Sequence, residues 1–113
     1  MSTFTTFKLN TTNNTKTIES TGTKYDEDKT DYALVDASFE EALAKVLTYG
    51  KKKYGKNNWQ QLSDAKDRYY AALRRHISEW RNGEKVDKET GLSHLAHAAC
   101  NLMFLMFFDK KDN

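Results

Sequence analysis

The sequence predicts an all-α domain of three main helices, and three observations carry that expectation. Apolar residues return at three- and four-residue steps in three separate stretches, which is the spacing that gathers them on one face of a helix. Serine, aspartate and glycine stand where those stretches should start and stop. No proline occurs anywhere in the chain to break them.

In chain order, residues 1–23 are rich in Thr, Asn, Ser and Lys, with Phe4, Phe7, Leu9 and Ile18 as their larger apolar side chains. That composition predicts a flexible or extended N-terminal arm. The folded domain is expected over residues 24–108, opening with a charged, aromatic loop that includes Tyr25 and Tyr32. Ser38 and Glu41 have capping-box spacing, so a helix is expected from Ser38, with Phe39, Leu43, Val46, Leu47 and Tyr54 on its apolar face. It should end near Gly55. A basic loop with aromatic ends precedes the second helix, which Ser63 or Asp64 should cap. Its stripe is Tyr69, Leu73, His76, Ile77 and Trp80, stopping before Gly83. A charged loop then leads to the central stretch, residues 90–108, and residues 109–113 form a polar tail.

The central stretch organises the rest. Leu92, Leu95, Ala96, Ala99, Leu102, Met103 and Met106 form one apolar stripe, while His94, His97 and Asn101 fall on the opposite face, continued by Leu105 and Phe108. Such a helix is expected to be sandwiched, with its polar stripe facing a site or a subunit contact.

With 113 residues, 38% hydrophobic and 30% charged, the chain has the balance of one globular domain. A net charge of +2 gives no electrostatic argument for a nucleic-acid polymer. The single Cys100 excludes an intrachain disulfide and suits a reducing, cytoplasmic setting. The apolar run 102–108 is far short of the roughly 20 residues that span a bilayer.

Two groups of residues can carry chemistry. His76 and Glu79 are one helical turn apart, as are His94 and His97, with Asn101 one turn further on. A His/Glu/Asn cluster of this kind binds a divalent metal or holds a phosphate. The plainer reading makes His76 a core histidine bonded to Glu79, with His94 and His97 lining an interface. Glu41 is a candidate metal ligand, although its capping role already accounts for it. The second group is Lys53, Tyr54, Asn58 and Trp59: an aromatic to stack a base, a lysine for phosphate, an amide for a base edge. By spacing alone it reads first as an amphipathic helix end with a solvated lysine run and Trp59 packed on the core. Arg75 borders the His76 group.

Lys24-Tyr-Asp26, Val46-Leu-Thr-Tyr-Gly50, Lys53-Tyr-Gly55 with Asn58-Trp59, Leu73-Arg-Arg-His76, Gly83-Glu84 with Asp87, and Gly91-Leu-Ser-His-Leu-Ala-His-Ala-Ala-Cys-Asn-Leu102 follow in order. Together they resemble the dATP/dGTP diphosphohydrolase N-terminal-domain family, MazG-like proteins common in bacteriophages. The resemblance implies a MazG-like helical fold that assembles as homodimers or homotetramers. It implies a Mg²⁺-dependent nucleoside triphosphate pyrophosphohydrolase giving the monophosphate and pyrophosphate, acting in the cytoplasm of a phage-infected host.

Carried onto this chain, the catalytic positions are Glu79, His76 and His97, and the metal positions are Glu41, Glu79, His94 and Asn101. Lys53, Tyr54, Asn58, Trp59, Arg75 and His94 would meet a purine dNTP or a signalling nucleotide. MazG enzymes pair acids as Glu-x-x-Glu and Glu-x-x-Asp on facing helices, and the predicted helices of this chain carry neither pair. That departure motivates an alternative: a non-catalytic phage sponge that sequesters a host immune signalling nucleotide. The plainest reading is a helical assembly module whose Met- and Phe-rich central helix pairs subunits.

Overall fold

The computed structural model describes residues 27–112. The chain divides into two units between Tyr32 and Ala33, and the three helices and the residues of the candidate site belong to the second. The helices are α1 (Ala37–Tyr54), α2 (Ala65–Arg81) and α3 (His94–Lys111), with short 3₁₀ turns at Tyr32–Leu34 and Asn58–Gln61. Among the described residues the only β pairing is one isolated antiparallel bridge, Val86 with Ser93. The all-α expectation holds.

The helix starts differ from their sequence reading in instructive ways. Asp36, not Ser38, caps α1: its carboxylate accepts from the Phe39 N–H at 2.8 Å, and the Ser38 hydroxyl donates to the same group. A carboxylate outcompetes a hydroxyl for the orphan N–H groups because charge strengthens the bond and suits the positive end of the helix. Glu41 is therefore released from capping, and pairs weakly with Lys45 across one turn at 3.9 Å. Asp64 precedes α2 but makes no side-chain cap bond, because its backbone is left-handed there (φ 52°). Ser93 caps α3, accepting from the N–H groups of Leu95 and Ala96. The third helix thus begins at His94, four residues into the predicted stretch, and runs on to Lys111 through part of the segment read as a polar tail.

Helices α2 and α3 pack along their length in opposite directions. His76 meets His94 and His97 at one end, while Tyr69 meets Phe104 and Phe108 at the other. Trp59 closes the aromatic end, stacked on Phe104 at 4.6 Å and edge-on to Phe107, and its carbonyl accepts from the Tyr69 hydroxyl. Helix α1 packs on α3 near its middle, where the Cys100 thiol points at the Leu43 carbonyl.

The buried side of α3 is the polar one. His94, Ala96, Ala98, Cys100 and Asn101 are buried, whereas Leu95, Leu102 and Met106 remain 43%, 51% and 72% exposed. The periodicity located the two faces correctly, but α1 and α2 cover the imidazole and small-residue faces and leave part of the Leu/Met stripe without a partner.

Candidate functional site

The site is built where α2 ends, a loop turns, and α3 begins. Gly83 adopts φ 106°, a conformation that side-chain-bearing residues rarely take. Its N–H bonds the Trp80 carbonyl and the Glu84 N–H bonds the Glu79 carbonyl, the paired bonds of a Schellman stop. This stop folds Glu84 back beside the last turn of α2. The chain then forms a narrow hairpin: His94 N–H bonds the Lys85 carbonyl, and Asp87 N–H bonds the Leu92 carbonyl. Asp87 closes the tip, its carboxylate accepting from the N–H groups of Glu89 and Thr90 at 2.8 and 3.0 Å. Gly91 completes the turn at φ 71°. The loop is held by backbone bonds at both ends, so its acids stand on a fixed frame.

Into this frame project three histidines. The rings of His76 and His97 stack nearly parallel, centroids 4.5 Å apart. Nδ1 of His76 lies 2.9 Å from Nδ1 of His94, and Nε2 of His94 lies 2.6 Å from a Glu84 oxygen and 3.4 Å from a Glu79 oxygen. An ionised carboxylate only accepts, so His94 Nε2–H donates to Glu84, and this bond holds the Glu84 pKa below its ordinary value. Its Nδ1 lone pair is then left to accept from His76 Nδ1–H. The result is a chain His76 to His94 to Glu84 that fixes each ring. His97 Nε2 lies 2.8 Å from the Thr90 hydroxyl, and Asn101 donates to the His97 carbonyl one turn back.

Burial and neighbouring charge set the protonation states. Burial first, and then the charges of His97 and Arg75, push His76 down to about 4. Burial likewise lowers His97, against the pull of Asp87. Both imidazoles are neutral near pH 7. Burial opposes ionisation of Asp87, but the Thr90 and Glu89 N–H groups outweigh it and its pKa falls. The site therefore sets two neutral imidazoles, His76 and His97, close to carboxylates, and one donor atom from each of His76, Glu79, Asp87 and His94 lies within 4.8 Å of all the others.

Several expected residues converge here and others stand apart. His76, Glu79, His94 and His97 come together as the helical spacing implied. Asn101 is buried next to them, but its side-chain N–H₂ turns to its own helix. Glu41 is exposed on α1 outside the group. Lys53 reaches the site's loop by an ion pair with Glu89 at 2.6 Å and also lies over the Tyr54 ring. Arg75 is exposed, yet near enough to lower both His76 and His97. Asn58 opens a 3₁₀ turn, and one face of Trp59 is taken by Phe104.

Glu84 and Asp87 figured in the sequence only as part of the family resemblance, and neither they nor Thr90 were expected in the site. Yet Glu84-x-x-Asp87 is a Glu-x-x-Asp pair, placed in a loop rather than on a helix. Asp followed three residues on by Thr and then Gly is a turn signal that could have located it. Cys100 takes no part: burial pushes its thiol up to about 12. A hollow lined by Leu62, Asp64, Lys66, Phe108 and Asp112 lies near the other end of α3 from the histidines.

A small all-α domain with buried histidines facing part-exposed carboxylates at one end of a helix pair is the class of protein defined by these features. The chain belongs to the dATP/dGTP diphosphohydrolase N-terminal family, which its residues 19–113 match. A dATP/dGTP diphosphohydrolase of Salmonella phage PMBT28 is 44% identical over 87 residues, covering 77% of this chain and 29% of that protein. The chain thus spans less than a third of that relative's length. No solved structure matches it. No described helix is long and apolar enough to cross a membrane.

Proposed function

We propose that this chain binds a purine deoxynucleoside triphosphate at the His76–Glu79–Asp87–His94 cluster and hydrolyses it to the monophosphate and pyrophosphate, in the cytoplasm of a phage-infected bacterium. The observation that carries the reading is the convergence of two acids and two buried imidazoles within 4.8 Å, at the end of a domain whose phage relative is a dATP/dGTP diphosphohydrolase. Glu79 is the member that substrate can reach, with its side chain 44% exposed, while His94 is fully buried behind it. A base of pKa about 4 takes a proton from water poorly near neutral pH. His76 therefore serves as a neutral donor and positioning group, and Glu79 is the residue on which turnover depends. Arg75 and Lys53 border the cluster and supply positive charge for the phosphates.

Mg²⁺ is the ion that the resemblance implies. Glu79 and Asp87 suit it, but Mg²⁺ prefers an all-oxygen shell, and half of this donor set is imidazole nitrogen. The residues do not fit Mg²⁺ as its dedicated ligands.

The domain is also proposed to act as a homodimer or homotetramer. Leu95, Leu102 and Met106 are exposed along α3, and exposed apolar patches of this kind mark contact surfaces.

The test is to incubate the purified chain with a panel of nucleotides, cyclic dinucleotides included, with divalent cation or with EDTA, and to read products by mass spectrometry. Monophosphate and pyrophosphate formed only with the cation are expected. Intact nucleotide retained in both conditions would overturn hydrolysis and make the chain a sponge.

A further inference from the structure

We propose that His76, Glu79, Asp87 and His94 form a binding site for a first-row transition-metal dication, of the Mn²⁺, Co²⁺ or Zn²⁺ class, in preference to Mg²⁺. The inference rests on the placement of the site in the proposed function but concerns the ion alone, and it starts from donor chemistry. Two nitrogen and two carboxylate donors lie within 4.8 Å of one another. Imidazole binds first-row transition ions strongly, whereas Mg²⁺ gives up its water shell reluctantly and selects oxygen.

The spacing agrees. The facing nitrogens of His76 and His94 are 2.9 Å apart. Two donors each about 2.1 Å from an ion, at right angles across it, lie about 3.0 Å apart. The rings already stand at the separation of adjacent ligands.

The surroundings agree too. A metal-bound histidine almost always donates its other ring N–H to a carboxylate or carbonyl. Glu84 occupies that place, accepting from Nε2 of His94 at 2.6 Å. This leaves the Nδ1 lone pair of His94 aimed at His76, and a change of His76 tautomer is all that is needed for both Nδ1 atoms to face an ion. His97 stacked on His76 holds that ring in plane, and Thr90 anchors His97 in turn. Asp87 is fixed by two backbone N–H groups. Glu84 and His97 are thus positioning residues for ligands held on rigid elements.

The experiment uses the tag-free full chain, stripped with chelator and titrated with Co²⁺ in the presence of a large excess of Mg²⁺. The ligand-field bands of Co²⁺ are followed in the visible. About one Co²⁺ per chain is expected, with nitrogen-ligand bands that persist in Mg²⁺. His94 is buried, so its loss can unfold the chain. Glu79→Gln and Glu84→Gln, both only partly buried, are the informative variants, with helicity checked by circular dichroism. Each should weaken Co²⁺ at least about tenfold. Glu84→Gln should also shift the bands, because it changes the partner of a ligand. Absence of bands, displacement by Mg²⁺, or unaltered binding in both variants would overturn the inference. Mg²⁺-supported pyrophosphate release without Co²⁺ uptake would sink this inference and spare the proposed function. Co²⁺ uptake without turnover of any nucleotide would do the reverse.

Discussion

At the scale of single residues, one helix holds three buried groups with different fates. His94 is completely buried yet satisfied at both nitrogens, which is what burying an imidazole requires. Asn101 is buried and spends its donor on its own helix. Cys100, 2% exposed and with its pKa raised to about 12, stays a neutral thiol across the physiological range. The sign follows from burial: a thiolate is costlier inside than out, so the folded pKa lies above the thiol's ordinary value of 9.0. Iodoacetamide near pH 8 should leave Cys100 of the native chain unmodified and alkylate it readily in denaturant. Fast native alkylation would show that α1 does not cover it.

At the scale of elements, the α2–α3 connection does what the helices alone cannot. Gly83 ends α2 in a stop whose second bond sets Glu84 beside Glu79, and the hairpin that follows delivers Asp87. Gly83→Ala places a Cβ in open space, so its cost is backbone strain at φ 106°, about 1–2 kcal/mol. Thermal unfolding should fall by several degrees. An unchanged melting temperature would mean that the turn relaxes without loss. This element also marks where reading the sequence stopped short. Helical period located α1, α2 and α3 to within a few residues, and put His76, Glu79, His94 and His97 on facing surfaces. Period says nothing about loops, so Glu84 and Asp87 read only as members of a charged loop. Their placement depends on left-handed glycines and backbone bonds between residues far apart in the pattern. Ser38 and Glu41 misled for a related reason: capping spacing is a local signal, and Asp36 two residues earlier is the stronger acceptor.

At the scale of the whole molecule, the described domain buries few large apolar side chains. Phe39, Ile77, Trp80, Leu95, Leu102 and Met106 all remain substantially exposed. The proposed homodimer or homotetramer would cover such a surface. Sedimentation should give a dimer or tetramer, and Met106→Glu on the most exposed part of the α3 stripe should shift it toward monomer. A monomeric wild type would remove the oligomer. The proposed function, however, rests on the cluster at the other end of α3. The direct measurement is the rate of pyrophosphate release from dATP and dGTP by the wild-type chain beside Glu79→Gln, with exposed Glu40→Gln on α1 as control. The account predicts release by wild type and control, and a fall of at least about a hundredfold in Glu79→Gln with helicity intact, on the scale of removing one charge-stabilising group. Equal release by Glu79→Gln would contradict it and move the chemistry away from the histidine–carboxylate cluster.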